Sequence, residues 1–365
     1  MMNILVLGGT GAMGMHLVGY LGAGGHRVVV TSRRPRPGRE NIEYVCGNAH
    51  ERPFLDGLLA RERWDAIVDF MVYGTEEFRS RHDALLDATG QYVFLSSSRV
   101  YAASEDPLTE ESPRLLDVST DAAYLAREEY ALTKARQENI LLSSSRRNWT
   151  IIRPYITYAE NRLQLGVLEK EAWLWRALHG RSIVFSKDIA EHTTTLTYGR
   201  DVARAMAGLI GRMEALGEAF HITCGESIRW SEVLDIYCDV LERRMGRRPR
   251  VVLTDRCMNL DSPSACWQVK YDRLFDRCFS NAKISRFVDC TRFVSTRDGL
   301  HRCLEAFCDR SAFGRIGYVG EGFRDKVSSE RARLGDFPTW KARAGYALAR
   351  YGTGLAKTMA RSKQK

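Results

Sequence analysis

The chain has 365 residues, 44% of them apolar and 10% aromatic, with a formal net charge of +9. That much apolar material supports two packed lobes and excludes a disordered chain, while no run approaches the roughly 20 apolar residues that cross a bilayer. The charge is concentrated in residues 341–365, which carry seven basic side chains and no acidic one and leave +2 for the rest, so the body is near neutral and no nucleic-acid partner is expected for it.

In chain order, Ile4-Leu5-Val6-Leu7 predicts a first strand over Asn3–Leu7, which runs directly into Gly8-Gly9-Thr10-Gly11-Ala12-Met13-Gly14. Glycines at this spacing, between a strand and a helix expected over Ala12–Leu21, let the backbone approach a pyrophosphate at the helix N-terminus. Gly8, Thr10, Gly11, Ala12, Met13 and Gly14 are therefore expected to hold a dinucleotide. The second strand, Arg27–Thr31, leads into Ser32-Arg33-Arg34, and the first acidic residue of the chain is Glu40. An NAD site wants an acid about 20 residues beyond the glycine turn, for the ribose 2′-hydroxyl. A hydroxyl and two guanidinium groups instead suit a 2′-phosphate. The expected cofactor is NADP, with NAD the second choice.

Further strands are expected at Ile42–Cys46, Ala66–Met71, Gln91–Ser96 and Trp149–Arg153, with helices near Pro53–Ala60, Glu76–Ala88 and Ala122–Ser143. Repeated strand–helix–strand units with right-handed crossovers make an α/β fold, a doubly wound parallel sheet. After Pro154 the regularity is lost. A Trp-rich helix over Leu165–Leu178, a strand at Ser182–Phe185, a further sheet strand at Thr193–Tyr198 and a helix capped by Asp201 are expected, then a mixed α+β pattern with a strand at Ala219–Thr223. The expected division is a dinucleotide-binding domain over 1–158, with 191–215 returning to it, and a substrate lobe over 159–190 and 216–325. Residues 326–365 are expected to form a basic helical tail. In it, Arg343, Arg350 and Lys357 recur every seven residues on one face, and Leu348 and Leu355 on another. A peripheral membrane contact through this tail is one reading of that pattern, and a solvated terminus the other.

Nine cysteines without a Cys-x-x-Cys spacing fit reduced thiols, not a disulfide frame, and no metal site is expected. Met1-Met2-Asn3 passes straight into the first strand without a basic-then-apolar leader, so the expected location is the cytoplasm, with the inner membrane face the site of any tail contact.

The segment Tyr130-Ala-Leu-Thr-Lys134 places a phenol and an ammonium four residues apart, on one helical face. About thirty residues upstream, Ser96-Ser97-Ser98 closes the fifth strand at the edge where an open sheet binds its ligand. A nearby cation favours the ionised phenol over its ordinary protonated state, which suits proton transfer at a carbon bearing oxygen.

Together, Gly8-x-x-Gly11-x-x-Gly14, the run Phe94-Leu95-Ser96-Ser97-Ser98-Arg99-Val100-Tyr101, Tyr130-x-x-x-Lys134 and Arg153-Pro154 resemble the extended short-chain dehydrogenases/reductases, the group of nucleotide-sugar epimerases and dehydratases. The resemblance covers roughly residues 1–310. It implies a Rossmann-type sheet, a nicotinamide cofactor and a nucleotide-sugar substrate held by the C-terminal lobe. It also implies that Ser97, Tyr130 and Lys134 are catalytic: Tyr130 as general acid/base, Lys134 as its partner and Ser97 holding the substrate oxygen. Phe70 and Pro154 would stand near the dinucleotide, and Asn48 occupies a place where relatives commonly carry an aspartate near the adenine. A homodimer is typical of the group.

Sugar 4,6-dehydratases carry an Asp-Glu pair straight after the active hydroxyl, where this chain has Ser98-Arg99. Dehydration is therefore disfavoured, leaving an epimerase or a 4-keto-sugar reductase. Arg162, Arg181, Lys187, Arg200 and Lys283 are candidates to clasp a diphosphate, and Trp173, Trp175 and Trp267 read as core residues in preference to base-stacking ones. A different class stays open: a non-catalytic Rossmann-fold binding protein, associated with RNA or membrane through the basic tail.

Overall fold

The computed structural model describes residues 1–257, 264–310 and 312–352. Seven strands, β1 (Asn3–Leu7), β2 (Arg27–Ser32), β3 (Ile42–Cys46), β4 (Trp64–Asp69), β5 (Thr89–Leu95), β6 (Trp149–Pro154) and β7 (Glu218–Ile222), form one sheet in the order β7-β6-β5-β4-β1-β2-β3. Every pairing in it is parallel. Its strands are apolar on both faces, which is what a parallel sheet covered by crossover helices requires. Ile4, Val6, Val28 and Val30 pack against Leu17, Val18 and Leu21 of helix Gly14–Ala23 and against Val202, Met206 and Leu209 of helix Gly199–Leu209. On the opposite face, Leu5, Leu7, Ile67 and Phe94 pack against Leu55, Leu58, Leu85, Ile140 and Leu141. Because all strands point one way, their carboxyl ends share one edge, and the order reverses there between β1 and β4.

The chain divides into two compact units. One comprises Met1–Asn161, Thr195–Ser227 and Arg277–Leu300, and the other Arg162–Thr194, Ile228–Asp276 and the chain from His301 onward. The strand expected near 219–223 in the smaller lobe is instead β7, the outer strand of the main sheet, where Phe220 lies opposite Ile152 and Ile222 opposite Pro154. Its alternation buries Phe220 and Ile222 on the sheet, a pairing that depends on which edge β6 leaves open.

Local chemistry accounts for other departures. The long helix expected over Ala122–Ser143 is two helices, Ala122–Leu125 and Tyr130–Leu142. Glu129 breaks it: its carboxylate accepts the Ala131 N–H at 2.7 Å, capping a new helix whose first residue is Tyr130. The helix expected over Glu76–Ala88 is likewise split, at Ser80 and Arg81. Thr193–Tyr198 is no strand of the main sheet. Thr193–Thr194 pairs with Ile228–Arg229 and Thr197–Tyr198 with Thr157–Tyr158. The Trp-rich helix begins only at Lys170, because Gly166, at φ +58°, turns the preceding residues into a short hairpin.

In the second unit, strand Ile183–Ser186 pairs in parallel with Val251–Thr254, and a buried ion cluster joins helix Lys170–Leu178 to helix Tyr318–Ser328. Arg176, fully buried, meets Glu321 and Asp325 at 2.8 Å and Glu330 at 3.0 Å. Trp173 stacks on Tyr237 with ring centres 4.4 Å apart, and Arg181 lies 4.6 Å over Trp175. The expected tail contains a second helix, Trp340–Tyr351, packed on Tyr318–Ser328. Leu355 and Lys357 of the seven-residue repeat lie outside the described residues.

Candidate active site

The glycine turn is built by close packing. Gly8 has φ +72° and donates its N–H to Thr31 Oγ1 at 2.9 Å, tying the end of β1 to the end of β2. A Cβ on Gly9 would lie 2.6 Å from Val6 Cγ1, and one on Gly14 would lie 2.7 Å from the Gly9 backbone. Gly11 differs: a Cβ there would meet nothing within 4 Å. The turn therefore folds tightly on itself and presents Gly11 outward, with Thr10, Ala12 and Met13 half-buried around it. Helix Gly14–Ala23 begins directly behind, and Met13 at its N-cap makes no side-chain hydrogen bond to the first turn. Amide hydrogens in that setting suit a phosphate. These residues fit a dinucleotide.

β2 ends at Ser32, whose hydroxyl accepts the Arg34 N–H at 3.3 Å, and the side chains of Arg33 and Arg34 are exposed just beyond it. Phe70 follows β4 and donates its N–H to the Leu7 carbonyl at 2.9 Å, which sets it beside Gly8. Asn48 serves a local turn: its side chain accepts from the His50 N–H at 3.2 Å and donates to Glu51 at 3.3 Å, at the entry to helix Arg52–Leu59.

At the end of β5 the three serines have different partners. Ser96 donates to Glu138 at 2.6 Å, and Ser98 donates to the Arg153 carbonyl at 2.7 Å, joining the ends of β5 and β6 beside Pro154. Ser97 Oγ accepts the Arg99 N–H at 3.2 Å and caps the short turn Ser98–Val100. Its hydroxyl proton is directed at no group among the described residues. Tyr130, partly exposed at the first turn of its helix, lies under the Arg99 guanidinium, 5.3 Å from the ring centre. Arg99 also bonds Glu129 at 2.5 Å. Backbone N–H to Ser97, guanidinium over Tyr130 and ion pair to Glu129 make Arg99 a link between the serine turn and the tyrosine helix.

Lys134, one turn along from Tyr130, is buried, with its ammonium 4.6 Å over the Phe94 ring of β5. Burial pulls its pKa down to about 8, against the attraction of Asp69 and Glu138. Asp69, the last residue of β4, is itself buried and accepts hydrogen bonds from Met71 N–H at 2.9 Å and the Tyr92 hydroxyl at 2.8 Å. Burial raises its carboxyl above the ordinary range, although those hydrogen bonds and Lys134 oppose the rise. Glu138, the next turn of the same helix face, is clasped by Arg153 through two contacts of 2.8 Å and by Arg114 at 3.1 Å. Burial works against the charge on Arg153, but Glu138 outweighs it and holds the guanidinium above its ordinary value. Arg153 also donates to Tyr101 Oη at 3.0 Å, and the Tyr101 hydroxyl faces Nδ1 of His221 at 3.3 Å. His221 is pushed below its ordinary value by burial, and its Nε2 donates to the Ser280 carbonyl at 2.7 Å.

The strand ends thus bring Gly8, Gly11, Ser32, Phe70, Ser97 and Pro154 to one edge of the sheet, with Tyr130 and Lys134 on the helix beside β5. Asp69, Glu138 and Glu129 were not expected at the site, and Arg99 was expected there without a role. The four-residue spacing of Tyr130, Lys134 and Glu138 was a legible signal, as was a lone carboxylate inside the apolar run Ala66–Met71. The diphosphate candidates have partners of their own: Arg162 with Glu169, Arg181 with Asp325, Lys187 with Asp255, Lys283 with Glu218 and Arg200 with the Tyr20 hydroxyl. Arg181 is buried in its ion cluster, with Glu321 at 3.3 Å as well. Among the described residues, no group of three His, Cys, Asp or Glu side chains could hold a metal ion.

A seven-stranded parallel sheet with a glycine turn after β1 is a Rossmann-type fold. Residues 4–225 match the NAD dependent epimerase/dehydratase family, and the chain belongs to that family. Two curated relatives are similar in sequence. The chloroplast stem-loop binding protein of 41 kDa b of Arabidopsis thaliana is 26% identical over 243 residues, covering 60% of this chain and 58% of that protein. The 2'-dehydrokanamycin reductase of Streptomyces kanamyceticus is 25% identical over 244 residues, covering 64% and 65%. The chain thus spans about six tenths of the length of these relatives. Among solved structures, the epimerase Mth375 of Methanothermobacter thermautotrophicus superposes with a TM-score of 0.65 at 19% identity, over 85% of this chain and 93% of that one. The UDP-glucuronic acid 4-epimerase of Bacillus cereus, in complex with UDP-glucuronic acid and NAD, gives 0.63 at 18% identity, over 85% and 100%. These likenesses concern the fold.

Proposed function

We propose that this protein is an NAD(P)-dependent redox enzyme acting on a nucleotide-linked sugar, as an epimerase or a 4-keto-sugar reductase, with NADP the preferred cofactor. The observation that carries the proposal is the grouping of Ser97, Tyr130 and a buried Lys134 around the carboxyl end of β5, on the sheet edge that also holds the glycine turn. Gly8, Thr10, Gly11, Ala12, Met13 and Gly14 would hold the pyrophosphate, Ser32, Arg33 and Arg34 the 2′-phosphate, and Asn48, Phe70 and Pro154 the ends of the dinucleotide. A bound nicotinamide supplies the hydride acceptor or donor. Tyr130 takes the proton from the carbinol oxygen, or returns it to the carbonyl oxygen, and Ser97 donates its undirected hydroxyl proton to that same oxygen. Lys134, charged below about pH 8, lends its field to the ionised tyrosine.

Dehydration is disfavoured by the commitments of the next two residues. Ser98 is fully buried and bonded to the Arg153 carbonyl, and Arg99 is paired with Glu129, so neither supplies an acid or a base to the sugar. The similarity to a 2'-dehydrokanamycin reductase and to an epimerase complexed with UDP-glucuronic acid and NAD supports a sugar substrate. A second reading, a non-catalytic binding protein on the same fold, is favoured by the similarity to the stem-loop binding protein of Arabidopsis thaliana.

The test is to incubate the protein with NADP or NADPH and a panel of UDP- and dTDP-hexoses, following products by liquid chromatography and mass spectrometry. Tyr130→Phe should lower turnover by about a hundredfold or more, the usual share of a general acid/base, with dinucleotide affinity nearly unchanged. Near-normal turnover in the variant would remove Tyr130 from the mechanism. Dinucleotide binding without turnover of any sugar would favour the binding-protein reading.

A further inference from the structure

Helix Trp340–Tyr351 has two apolar faces, and among the described residues one is buried and the other exposed. The inner face is fixed: Tyr346 and Ala349 are buried, the Tyr346 hydroxyl donates to Asp325 at 2.6 Å and accepts the Ala332 N–H at 2.9 Å, and Arg350 donates to the Glu330 carbonyl at 2.8 Å. Gly322 of the supporting helix makes the close approach possible, since a Cβ there would lie 2.5 Å from the Tyr346 carbonyl oxygen. At about 100° per residue, Trp340, Ala344, Leu348 and Tyr351 fall on the opposite side. Trp340 is 75% exposed, Leu348 41% and Tyr351 55%. The Lys341 ammonium lies 5.8 Å over the Trp340 ring and the Arg350 guanidinium 5.1 Å over the Tyr351 ring, so each aromatic end of the exposed stripe is flanked by a base.

Charge is sorted the same way. The acids of the supporting segment turn inward: Glu321 and Asp325 meet Arg176 and Arg181, and Glu330 meets Arg176 and Ser182. Arg324 turns inward too, to Glu321 at 2.9 Å, whereas Lys326, Arg331, Arg333, Lys341 and Arg343 are exposed. The chain beyond the helix adds Lys357, Arg361, Lys363 and Lys365 and no acid. At 12 residues the helix is too short to span a bilayer, which takes roughly 20, and no described helix is long and apolar enough to do so.

We propose that the outer face of helix Trp340–Tyr351 is a docking surface for an anionic lipid bilayer, with the helix lying in the headgroup plane. Tryptophan and tyrosine prefer that depth, Leu348 and Ala344 enter the acyl boundary, and the flanking lysine and arginines meet lipid phosphates. A single-stranded nucleic acid would use basic residues interleaved with aromatics along a groove, and would gain nothing from Leu348 and Ala344. This surface goes beyond the proposed redox function.

The test is flotation of the full-length protein with phosphatidylcholine vesicles, with and without phosphatidylglycerol, at low and high salt. Two variants, Trp340→Ser/Leu348→Ser/Tyr351→Ser and Lys341→Glu/Arg343→Glu, change only exposed side chains, and their fold is checked by circular dichroism and dinucleotide binding. The wild type should float with the anionic vesicles alone, and less at high salt. The apolar variant should partition at least tenfold less. The charge-reversal variant should lose more than the roughly fivefold expected for each basic side chain removed. Equal flotation of all three proteins would overturn the proposal, as would no flotation at low salt. So would retention of a labelled RNA stem-loop that depends on Lys341 and Arg343 but not on the apolar triplet, in the absence of flotation. A solution dimer dispersed by the apolar variant, again without flotation, would assign the stripe to a second copy of the chain and overturn it too.

Discussion

The glycine turn offers a way to separate folding from cofactor binding with two substitutions three residues apart. In Gly14→Ala the new methyl would lie 2.7 Å from the Gly9 Cα and carbonyl carbon and 2.8 Å from its oxygen, about 0.7 Å short of the 3.4 Å at which ordinary contact begins. All three are backbone atoms, so no side chain can swing away, and the helix start must lift from the turn. Overpacking of this kind costs about 1–3 kcal/mol, which in a unit of this size lowers the melting temperature by roughly 2–4 °C per kcal/mol. In Gly11→Ala the methyl meets nothing within 4 Å, and stability should stay within about 0.5 kcal/mol of wild type. That methyl nevertheless stands where a pyrophosphate would approach the backbone, so NADP affinity should fall by about tenfold, or 1.4 kcal/mol. Differential scanning calorimetry and titration calorimetry with NADP measure the two effects independently. If Gly11→Ala binds NADP as tightly as wild type, or melts as low as Gly14→Ala, the assignment of the outward surface of the turn to the cofactor is wrong.

Further outcomes follow from the rest of the site. Replacing Arg33 and Arg34 by alanine should weaken NADP by roughly tenfold or more, the value of a lost charge-assisted hydrogen bond, and leave NAD nearly untouched; equal weakening in titration calorimetry would mean no contact with the 2′-phosphate. Lys134 has a native pKa near 8 against an ordinary 10.5, so between those values the unfolded chain binds more protons, and stability due to this group rises with pH. The melting temperature of wild type should therefore gain on that of Lys134→Met from about pH 8 upward, and a pH-independent difference would show that the ammonium is not held at a depressed value. Arg99 and Glu129 form a largely buried pair. Arg99→Met should cost roughly 3–5 kcal/mol by stranding the carboxylate, and adding Glu129→Gln should restore part of it. Additive losses in denaturant titrations would deny the coupling.

Much of this molecule was legible because the signals are local. Apolar residues such as Ile4 to Leu7 announce a strand buried on both faces, glycines mark the turn that follows, and the missing acid after β2 leaves Arg33 and Arg34 exposed at its end. Tyr130 and Lys134 share a face by spacing alone. The break that sets Tyr130 at a helix start was also local, but one glutamate reads equally as a helix former or as a cap, and the choice was settled by the geometry of Glu129.

Other features depend on partners far along the chain. The alternation in 218–222 predicts a strand but not its neighbour, and only the open edge of β6 made it the seventh of the sheet. Arg181 and Trp175 have the same composition in a binding cleft as in a core, and burial against Asp325 and Glu321 decided for the core. Asp69 and Lys134 are separated by 65 positions and influence each other only because β4 and the Tyr130 helix meet. Periodicity and turn chemistry act over a few residues, so the sequence by itself determined most of the elements, the glycine turn and the Tyr–Lys spacing. Which charges face one another, and so which lysine is driven toward neutrality, was decided only when distant segments were buried together and desolvated as a group.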